Sequence, residues 1–461
     1  MRIRADLTAE LVEGLRRIRQ QFKVPAAFPA SVLQAADEAA RRVPTAHADR
    51  TDWPFVTLDP ASSTDLDQAF HIEAAGDDVL LHYAIADVAW FVDDGGVLDN
   101  EAWKRGTTQY LPDGKAGLYP PVLAEGAASL LPDGPRPAIV FHVRVGSDGL
   151  SKLDGVERLL IRSRAKLAYE SVKPNELPDA FAELARRIAA AEDARGASRI
   201  EPLEQEVHAV ERGGYDIAFR PRLQSENDNA AMSLATNLAV ADALFAAGTG
   251  LFRVMPEPDE RAVQRLRHTA RALGIEWSAT TDLPQFERSL DGNEPKPAAL
   301  VMAIRRAGGG ASYVPFTAGQ RPWHSAMAAT YAHATAPLRR LADRYVVMAA
   351  FDVANGRPLP DQVSSAFARL PAVMEHADDM ASQIERSVID LAEVALLSAQ
   401  TQRTFSAVVT DVDDRGARIQ FCDLPVVSRV NTHGVQPGDD LRVRVVSTDI
   451  AGRAVTLERV A

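Results

Sequence analysis

The sequence predicts an α+β protein that ends in a small β-barrel. Three observations predict this class. Short alternating runs with many Gly, Pro and Asp turns dominate from Asp52 to about residue 170. Helical periodicity dominates from about residue 178 to residue 400, and the last part of the chain returns to short strands. Strands followed by helices favour a segregated α+β arrangement over an alternating one.

A small helical module precedes the strands. Leu11, Leu15, Ile18 and Phe22 recur at helical spacing, Pro25 and Pro29 interrupt the pattern, and a second amphipathic segment begins at Ser31. Two short helices around a proline turn are typical of a helix-turn-helix or winged-helix fragment. A helical lid with no binding role is the equally weighted alternative.

The strand-rich and helical regions together form one predicted domain. Its clearest strands are Phe55–Leu58, Ala69–Ile72, Leu80–Ile85 and Ile139–Val145. Its helices cover residues 178–195, 226–247, 260–273 and 363–400, with glycines such as Gly248 and Gly274 at helix ends. We therefore predict a small helical module over residues 1–50 and a larger α+β domain over residues 51–397.

The remaining residues, 398–461, read as five short strands. These are Phe405–Val412, Ala417–Phe421, Val426–Val430, Leu441–Val446 and Ala454–Leu457, separated by glycines and prolines. Five strands in such a length are typical of an oligonucleotide-binding (OB) barrel.

Composition restricts the class of protein. One cysteine, Cys422, excludes an intrachain disulfide and fits a reducing cytoplasm. No signal peptide or membrane-spanning run is apparent, so we expect a soluble, cytoplasmic chain with no membrane partner, acting as a monomer. The net charge of −12 argues against nucleic-acid binding unless cations gather locally.

The segment FVTLDPASSTDLDQAFHIE, residues 55–73, carries the most specific chemistry. A strand ends at Asp59, a Pro/Ser turn follows, and Asp65 and Asp67 alternate toward one face. Three hard carboxylates at a strand end suit Mg²⁺, which activates water and neutralises phosphoryl charge. A solvated Asp/Ser turn and a structural Ca²⁺ loop are the alternatives from this fragment alone.

Four further segments follow in a particular order. They are residues 80–112, 159–172 (LLIRSRAKLAYESV), 232–260 (from MSLATNLAVADALF) and 324–346 (HSAMAATYAHATAPLRRLADRYV). With the acidic loop, they resemble in order and spacing the catalytic domain of the ribonuclease II/ribonuclease R (RNB) family. The resemblance runs from about Asp52 to about residue 395, and the barrel matches the RNA-binding end of such enzymes.

The resemblance implies roles for the acidic residues. Asp59, Asp65 and Asp67 match the positions that bind Mg²⁺, with Mn²⁺ as a substitute, and Asp65 and Asp67 are catalytic, with Asp67 the most direct. The family's fourth aspartate falls on Gln68, which offers a neutral oxygen ligand and removes one negative charge. Metal affinity should be weaker for that reason, or one of two metals loosely held.

The resemblance also implies RNA contacts. Arg339, in ATAPLRR, matches the arginine that contacts the scissile phosphate, and a planar guanidinium suits that task. Tyr110 and Tyr169 match aromatic residues on the RNA path, and Arg340 and His333 are expected to bind RNA beside them. Further cations that could line a channel are Arg105, Arg164, Lys166, Arg253, Arg305, Arg306 and Arg344.

Two departures and one truncation bear on activity. Gln68 is the first departure, and the second is Ala230, where the family often has an acidic residue that Glu226 or Asp228 could replace. About 50 N-terminal residues stand where bacterial members of the family commonly carry two cold-shock barrels. This shorter region is expected to leave the channel mouth more open.

The implied function is a processive hydrolytic 3′-to-5′ exoribonuclease that degrades single-stranded RNA to nucleoside 5′-monophosphates. A catalytically impaired RNA-binding relative is the alternative, and a metal phosphodiesterase acting on DNA or small molecules is weaker.

Overall fold

The computed structural model describes residues 8–198, 204–209, 215–220, 222–290 and 295–460. Its helices are α1 (Thr8–Gln21), α2 (Ala30–Ala40), α3 (Val88–Phe91), α4 (Val97–Arg105), α5 (Phe181–Arg195), α6 (Gln224–Ala246), α7 (Glu260–Ala272), α8 (Leu283–Arg288), α9 (Pro295–Ala307), α10 (Leu341–Ala354) and α11 (Asp361–Ser398). Single turns of π-helix (Leu123–Ala127) and 3₁₀-helix (Pro174–Glu176, Ser325–Met327) lie between them.

The strands of the first part of the chain are β1 (Ala48–Asp49), β2 (Val56–Asp59), β3 (Gln68–Ala75), β4 (Asp78–Ala86), β5 (Gln109–Leu111), β6 (Gly114–Ala116), β7 (Arg136–Val145), β8 (Ser151–Ile161) and β9 (Ala165–Ala168). Those of the second part are β10 (Glu204–Ala209), β11 (Tyr215–Arg220), β12 (Leu251–Val254), β13 (Ser312–Pro315), β14 (Thr404–Asp413), β15 (Gly416–Phe421), β16 (Val427–Val430), β17 (Asp440–Asp449) and β18 (Ala454–Val460).

A seven-stranded sheet forms the centre of the molecule. Its order is β1-β8-β7-β4-β3-β2-β9, and only the outer pairs β1–β8 and β2–β9 are parallel. The largest core cluster packs this sheet against α6 and α10, with Phe70, Phe141 and Leu81 among its buried side chains. β2, which ends at Asp59, and β3 lie side by side in this sheet, so the loop between them, which holds Asp65 and Asp67, is fixed at both ends.

The C-terminal strands form a separate five-stranded sheet in the order β16-β15-β14-β17-β18. β16 and β18 approach each other, so the sheet curls toward a barrel. Register shifts in β14 and β17 add to that curvature. The predicted OB-type barrel is therefore confirmed.

The N-terminal helices attach to two different parts of the molecule. Leu11, Leu15 and Ile18 of α1 join the core cluster that the barrel shares with the C-terminal half of α11. A Cβ at Gly14 would lie 2.6 Å from Leu391 of α11, so glycine allows the two helices to meet closely. Helix α2 instead buries Val32 and its neighbours in the main core, against α4. The predicted N-terminal helices are confirmed, and both serve as packing elements of the body.

The sequence pattern predicted six of the described helices, four strands of the central sheet and the five barrel strands, with shifts of a few residues. It did not single out the remaining elements, among them helices α4, α9 and α10, the long strand β8 and the β5–β6 hairpin. Helix α10 directly follows the ATAPLRR segment. Among the described helices, none is both long and apolar enough to cross a membrane.

Candidate active site

The acidic loop between β2 and β3 is held from the side by the segment after the π-helical turn. The Leu66 N–H donates to Ser129 Oγ at 2.9 Å, and Ser129 Oγ donates to the Thr64 carbonyl at 2.7 Å. The Leu130 N–H donates to the Leu66 carbonyl, and the Leu66 side chain is fully buried. These contacts fix the second half of the loop, where Leu66 and Asp67 are buried, whereas Ala61, Ser62 and Thr64 are exposed.

Asp67 is the most deeply placed carboxylate of this loop. Its Oδ1 accepts the Leu338 N–H at 2.7 Å, and its Oδ2 lies 3.4 Å from Arg339 Nε. Burial raises the pKa of Asp67 to about 7, although Arg339 and the Leu338 N–H act in the opposite direction. The carboxylate therefore joins the end of β2–β3 to the ATAPLRR segment.

Asp59 ends β2 on the same side. Burial raises the pKa of Asp59 to about 6, with Arg339 lowering it and Asp65 raising it further. Its Oδ2 is buried and has no hydrogen-bond partner within the described residues. A buried oxygen of this kind is normally satisfied by a donor, a water or a cation.

Asp65 differs from the other two because an ammonium group lies within hydrogen-bond distance of it. Its Oδ1 lies 2.8 Å from Lys115 Nζ, and the hydroxyl of Tyr110 lies 3.4 Å from its Oδ2. Lys115 also lies 3.1 Å from Glu125. The sequence does not single out Lys115, because the β5–β6 hairpin that carries it has no clear strand signal.

Gln68 opens β3 beside Asp67. Its side-chain Oε1 accepts the hydroxyl hydrogen of Tyr83 at 2.6 Å, from the neighbouring strand β4. The neutral oxygen expected as a metal ligand is thus already engaged by a buried phenol.

The Mg²⁺ site that the sequence predicts at the acidic loop stays a prediction. Among the described residues, no group of three His, Cys, Asp or Glu side chains is placed to hold a metal ion. The chemistry nevertheless fits a hard divalent cation: Asp59 has an unpartnered buried oxygen, and Asp67 is a buried carboxylate only partly offset by Arg339. Asp59 and Asp67 are the carboxylates that would hold it.

The ATAPLRR segment contributes one arginine to this site. The Arg339 side chain is 45% exposed, and its backbone carbonyl accepts hydrogen bonds from Thr107 and Thr108. Arg340 instead donates two hydrogen bonds to Asp343, at 2.9 and 2.8 Å, and is mostly buried. Arg339 therefore faces the carboxylates, and the guanidinium of Arg340 is engaged within the fold.

The aromatic and imidazole candidates also differ in accessibility. Tyr110 is 55% exposed. Tyr169 is half-buried, and its hydroxyl accepts the Asn229 amide at 2.8 Å. His333 has its Nδ1 2.7 Å from the Tyr313 hydroxyl, and burial lowers its pKa well below the usual value. The predicted RNA contacts of Tyr110, Tyr169, Arg340 and His333 all remain predictions. Of these four side chains, that of Tyr110 is the most exposed.

Most cations expected along a channel are engaged within the fold. Arg253 pairs with Asp378 at 3.0 Å, and Arg344 is buried beside Asp99. Backbone or acidic partners also hold Arg105, Arg164 and Lys166. Arg305 is exposed, and the side chain of Arg306 lies outside the described residues. The expectation that these residues form a free cationic lining is therefore wrong for Arg344, whose ion pair is sealed in the core.

Two family descriptions match the chain. Residues 47–350 match the RNB domain, and residues 403–460 match the RNase II-type exonuclease C-terminal S1 domain. This chain belongs to the RNB family.

Named RNB relatives agree with this assignment. Ribonuclease R of Thermotoga maritima is 26% identical over 440 residues, which cover 88% of this chain and 61% of the relative. Exoribonuclease 2 of Cronobacter sakazakii is 28% identical over 410 residues, covering 81% of this chain and 61% of that protein. This chain therefore spans about three fifths of the length of these relatives.

Solved structures show the same RNB fold. The Mycoplasma genitalium RNase R in complex with ribose methylated single-stranded RNA gives a TM-score of 0.88 at 20% identity, covering 98% of this chain and 78% of that chain. Yeast Ssd1, described as a pseudonuclease, gives a TM-score of 0.66 at 15% identity, covering 87% of this chain and 53% of that chain.

The residues that could replace the acidic group missing at Ala230 have other partners. Glu226 is buried, lies 2.5 Å from an Arg220 nitrogen and accepts the Leu223 N–H. Asp228 accepts the Gln224 amide at 2.7 Å. Neither carboxylate is held free for the position that the RNB family usually fills.

Proposed function

We propose that this chain is a hydrolytic 3′-to-5′ exoribonuclease that degrades single-stranded RNA processively to nucleoside 5′-monophosphates. Mg²⁺ is its cofactor, and Mn²⁺ substitutes for it. The observation that carries this proposal is the meeting of Asp67 and Arg339, a buried carboxylate beside a half-exposed guanidinium, next to the unpartnered Asp59 oxygen.

The reaction needs three contributions that these residues fit. Water adds to the terminal phosphorus, and the bond from phosphorus to the 3′ oxygen of the preceding nucleotide breaks. A divalent cation held by Asp59 and Asp67 would lower the pKa of that water and neutralise phosphoryl charge. Arg339 can grip the phosphate oxygens and stabilise the charge that develops on them.

RNA binding is supported by an exposed aromatic side chain and by the barrel. The open ring of Tyr110 lies beside Asp65, so a terminal base could stack close to the carboxylates. Stacking on an aromatic ring contributes about 1–3 kcal/mol per base and tolerates any base, which suits a nonspecific exonuclease. The C-terminal S1 domain supplies a second surface of a kind that binds single strands.

A second candidate is an RNA-binding protein with an impaired site. Gln68 removes one carboxylate, Lys115 occupies Asp65, and the same fold occurs in the pseudonuclease Ssd1. The intact arrangement of Asp59, Asp67 and Arg339 favours the enzyme.

The test uses a 5′-labelled single-stranded RNA incubated with the full chain and Mg²⁺, with EDTA, or with the Asp67→Asn variant. Shortening to one small labelled product, absent with EDTA and with the variant, would support the proposal. RNA that is bound but intact, even with Mn²⁺, would favour the RNA-binding candidate. A DNA strand of the same sequence tests the third alternative, because contacts to the 2′-hydroxyl distinguish RNA from DNA.

A further inference from the structure

The β5–β6 hairpin places a lysine inside the acidic site. Lys115 Nζ lies 2.8 Å from Asp65 Oδ1 and 3.1 Å from Glu125 Oε1. Tyr110, on the same hairpin, approaches the other oxygen of Asp65 at 3.4 Å. One hairpin therefore contacts both oxygens of a carboxylate that the RNB resemblance assigns to metal binding.

The hairpin and its acidic partners are themselves held in place. Arg19 of α1 donates two hydrogen bonds to Asp113, at 2.9 and 2.8 Å, and one to the Gly114 carbonyl at 3.0 Å. Thr64 in the acidic loop donates to Glu125 at 2.9 Å. The lysine side chain is only 25% exposed. Lys115 is thus built into the site, unlike a lysine that samples solvent.

The local charge favours one divalent cation over two. Asp59, Asp65, Asp67 and Glu125 bring four negative charges, and Lys115 and Arg339 offset two of them. One divalent cation would neutralise the group, and a second would leave it positive before RNA binds. The ammonium beside Asp65 would also repel a divalent cation on the same carboxylate.

The fourth side chain of the acidic set does not restore the balance. Gln68 is uncharged, and its oxygen already accepts the Tyr83 hydroxyl hydrogen. A pair of metals roughly 4 Å apart needs shared anionic ligands, and here the anionic ligand nearest the hairpin is paired with an ammonium.

We propose that Lys115 is a resident cation of the active site, which holds Asp65 and takes the place of a second divalent cation. The site then binds a single divalent cation through Asp59 and Asp67. This inference rests on the proposed function, because it concerns the same metal site. The charge of Lys115 belongs to the chain, so chelators do not remove it.

An ordinary ion pair would have different consequences. A partly exposed lysine–aspartate pair contributes about 0–1 kcal/mol to stability, and removing it would leave metal binding unchanged. A resident cation, in contrast, competes with a metal for Asp65. Metal stoichiometry therefore separates the two interpretations without any measurement of activity.

The experiment titrates the full chain with Mn²⁺ alone, without RNA, by isothermal calorimetry and by the electron paramagnetic resonance signal of free Mn²⁺. Lys115→Met removes the ammonium and Lys115→Arg keeps a positive charge. Lys104→Met is the matched control, because Lys104 is 73% exposed and pairs only loosely with Glu101 at 3.6 Å. We expect one bound Mn²⁺ in the wild type, Lys115→Arg and Lys104→Met. In Lys115→Met we expect a second site, or binding tighter by roughly tenfold or more.

Equal stoichiometry and affinity in the wild type and Lys115→Met would overturn the inference. So would two equivalent sites, or none, in the wild type. If circular dichroism shows that Lys115→Met does not fold, Lys115→Gln replaces it, since its amide can still donate to Asp65. Degradation assays on the wild type separate the two proposals. One bound Mn²⁺ without RNA cleavage refutes the enzyme only, and cleavage with two equivalent sites refutes the lysine inference only.

Discussion

The acidic loop and the ATAPLRR segment face each other but satisfy their charges differently. In the loop, Asp59 has an unpartnered buried oxygen, and Asp67 lies 3.4 Å from its cation. In the segment and the helix after it, Arg340 is bidentate to Asp343, and Arg344 is sealed with Asp99. Asp59 and Asp67 therefore keep some capacity to bind a cation, whereas the closely paired Arg340 and Arg344 stabilise the fold.

Asp67 gives the largest expected effect on activity. Asp67→Asn keeps an oxygen for the Leu338 N–H but removes the charge that holds a cation. Several kcal/mol of transition-state stabilisation would be lost, which corresponds to roughly 10³-fold or more in rate. Single-turnover cleavage of labelled RNA measures this loss, and RNA affinity should be retained. A variant with more than a tenth of wild-type rate would contradict the assigned role.

Arg344, in the helix after the ATAPLRR segment, tests the other side of the comparison through its effect on stability. Arg344→Met leaves Asp99 buried without its cation, and breaking a buried pair from one side destabilises by about 3–5 kcal/mol. Chemical denaturation measures the free energy of unfolding. The comparison predicts that Asp67→Asn, in EDTA, lowers this free energy far less. Equal destabilisation by the two variants would mean that the acidic loop and the ATAPLRR side contribute to stability in the same way.

The neighbouring arginines sharpen the comparison within one dipeptide. Arg339→Lys removes a guanidinium that reaches Asp67 and is 45% exposed, so kcat should fall roughly 10²-fold with little change in unfolding free energy. Arg340→Lys removes the bidentate pair with Asp343 and should act mainly on stability. Steady-state kinetics and denaturation on both variants measure the split. If Arg340→Lys lowers kcat more than Arg339→Lys does, the phosphate contact belongs to Arg340 and the role proposed for Arg339 is wrong.

The sequence predicts the members of this site better than their partners. Asp59 ends β2, and Asp65 and Asp67 lie in the loop that leads to β3, so the sequence places all three near one turn between adjacent strands. The approach of Arg339 to Asp67 joins residues 272 positions apart, and only the resemblance to the RNB family indicated it. Arg340 and Asp343 are three residues apart at the start of a helix, so their ion pair is local. The sequence alone does not show that Arg340, rather than Arg339, forms it.

Lys115 and the N-terminal helices show where sequence patterns stop. Strands of three residues carry too little alternation to be read, so the β5–β6 hairpin and its lysine were not predicted. The amphipathic pattern of α1 predicts a helix but does not specify its partner. That partner is α11 and the barrel core, and Arg19 of α1 holds the hairpin turn through Asp113.

The two buried carboxylates, Asp59 and Asp67, should make the stability of the metal-free protein depend on pH. Burial raises the pKa of Asp59 to about 6 and of Asp67 to about 7, above their ordinary value of 3.8. The folded state then binds more protons than the unfolded state. In EDTA, the unfolding free energy should fall by several kcal/mol as pH rises from about 4 through about 7, because each unit of pKa difference corresponds to about 1.4 kcal/mol. Asp67→Asn should flatten this dependence, and an unchanged slope would show that the Asp67 carboxyl is not its source.

Gln68 gives the smallest expected effect and tests how far the acidic loop can be completed. Gln68→Asp adds a carboxylate beside Asp67, on a side chain one methylene shorter than the glutamine that accepts the Tyr83 hydroxyl hydrogen. The added charge should lower the Mg²⁺ concentration for half-maximal activity by several-fold, since hard cations bind more tightly as carboxylates are added. The effect should stay modest while Lys115 still pairs with Asp65, and grow when Gln68→Asp is combined with Lys115→Met. If neither the single nor the double variant changes the Mg²⁺ requirement, metal binding at the acidic loop is not limited by the number of carboxylates.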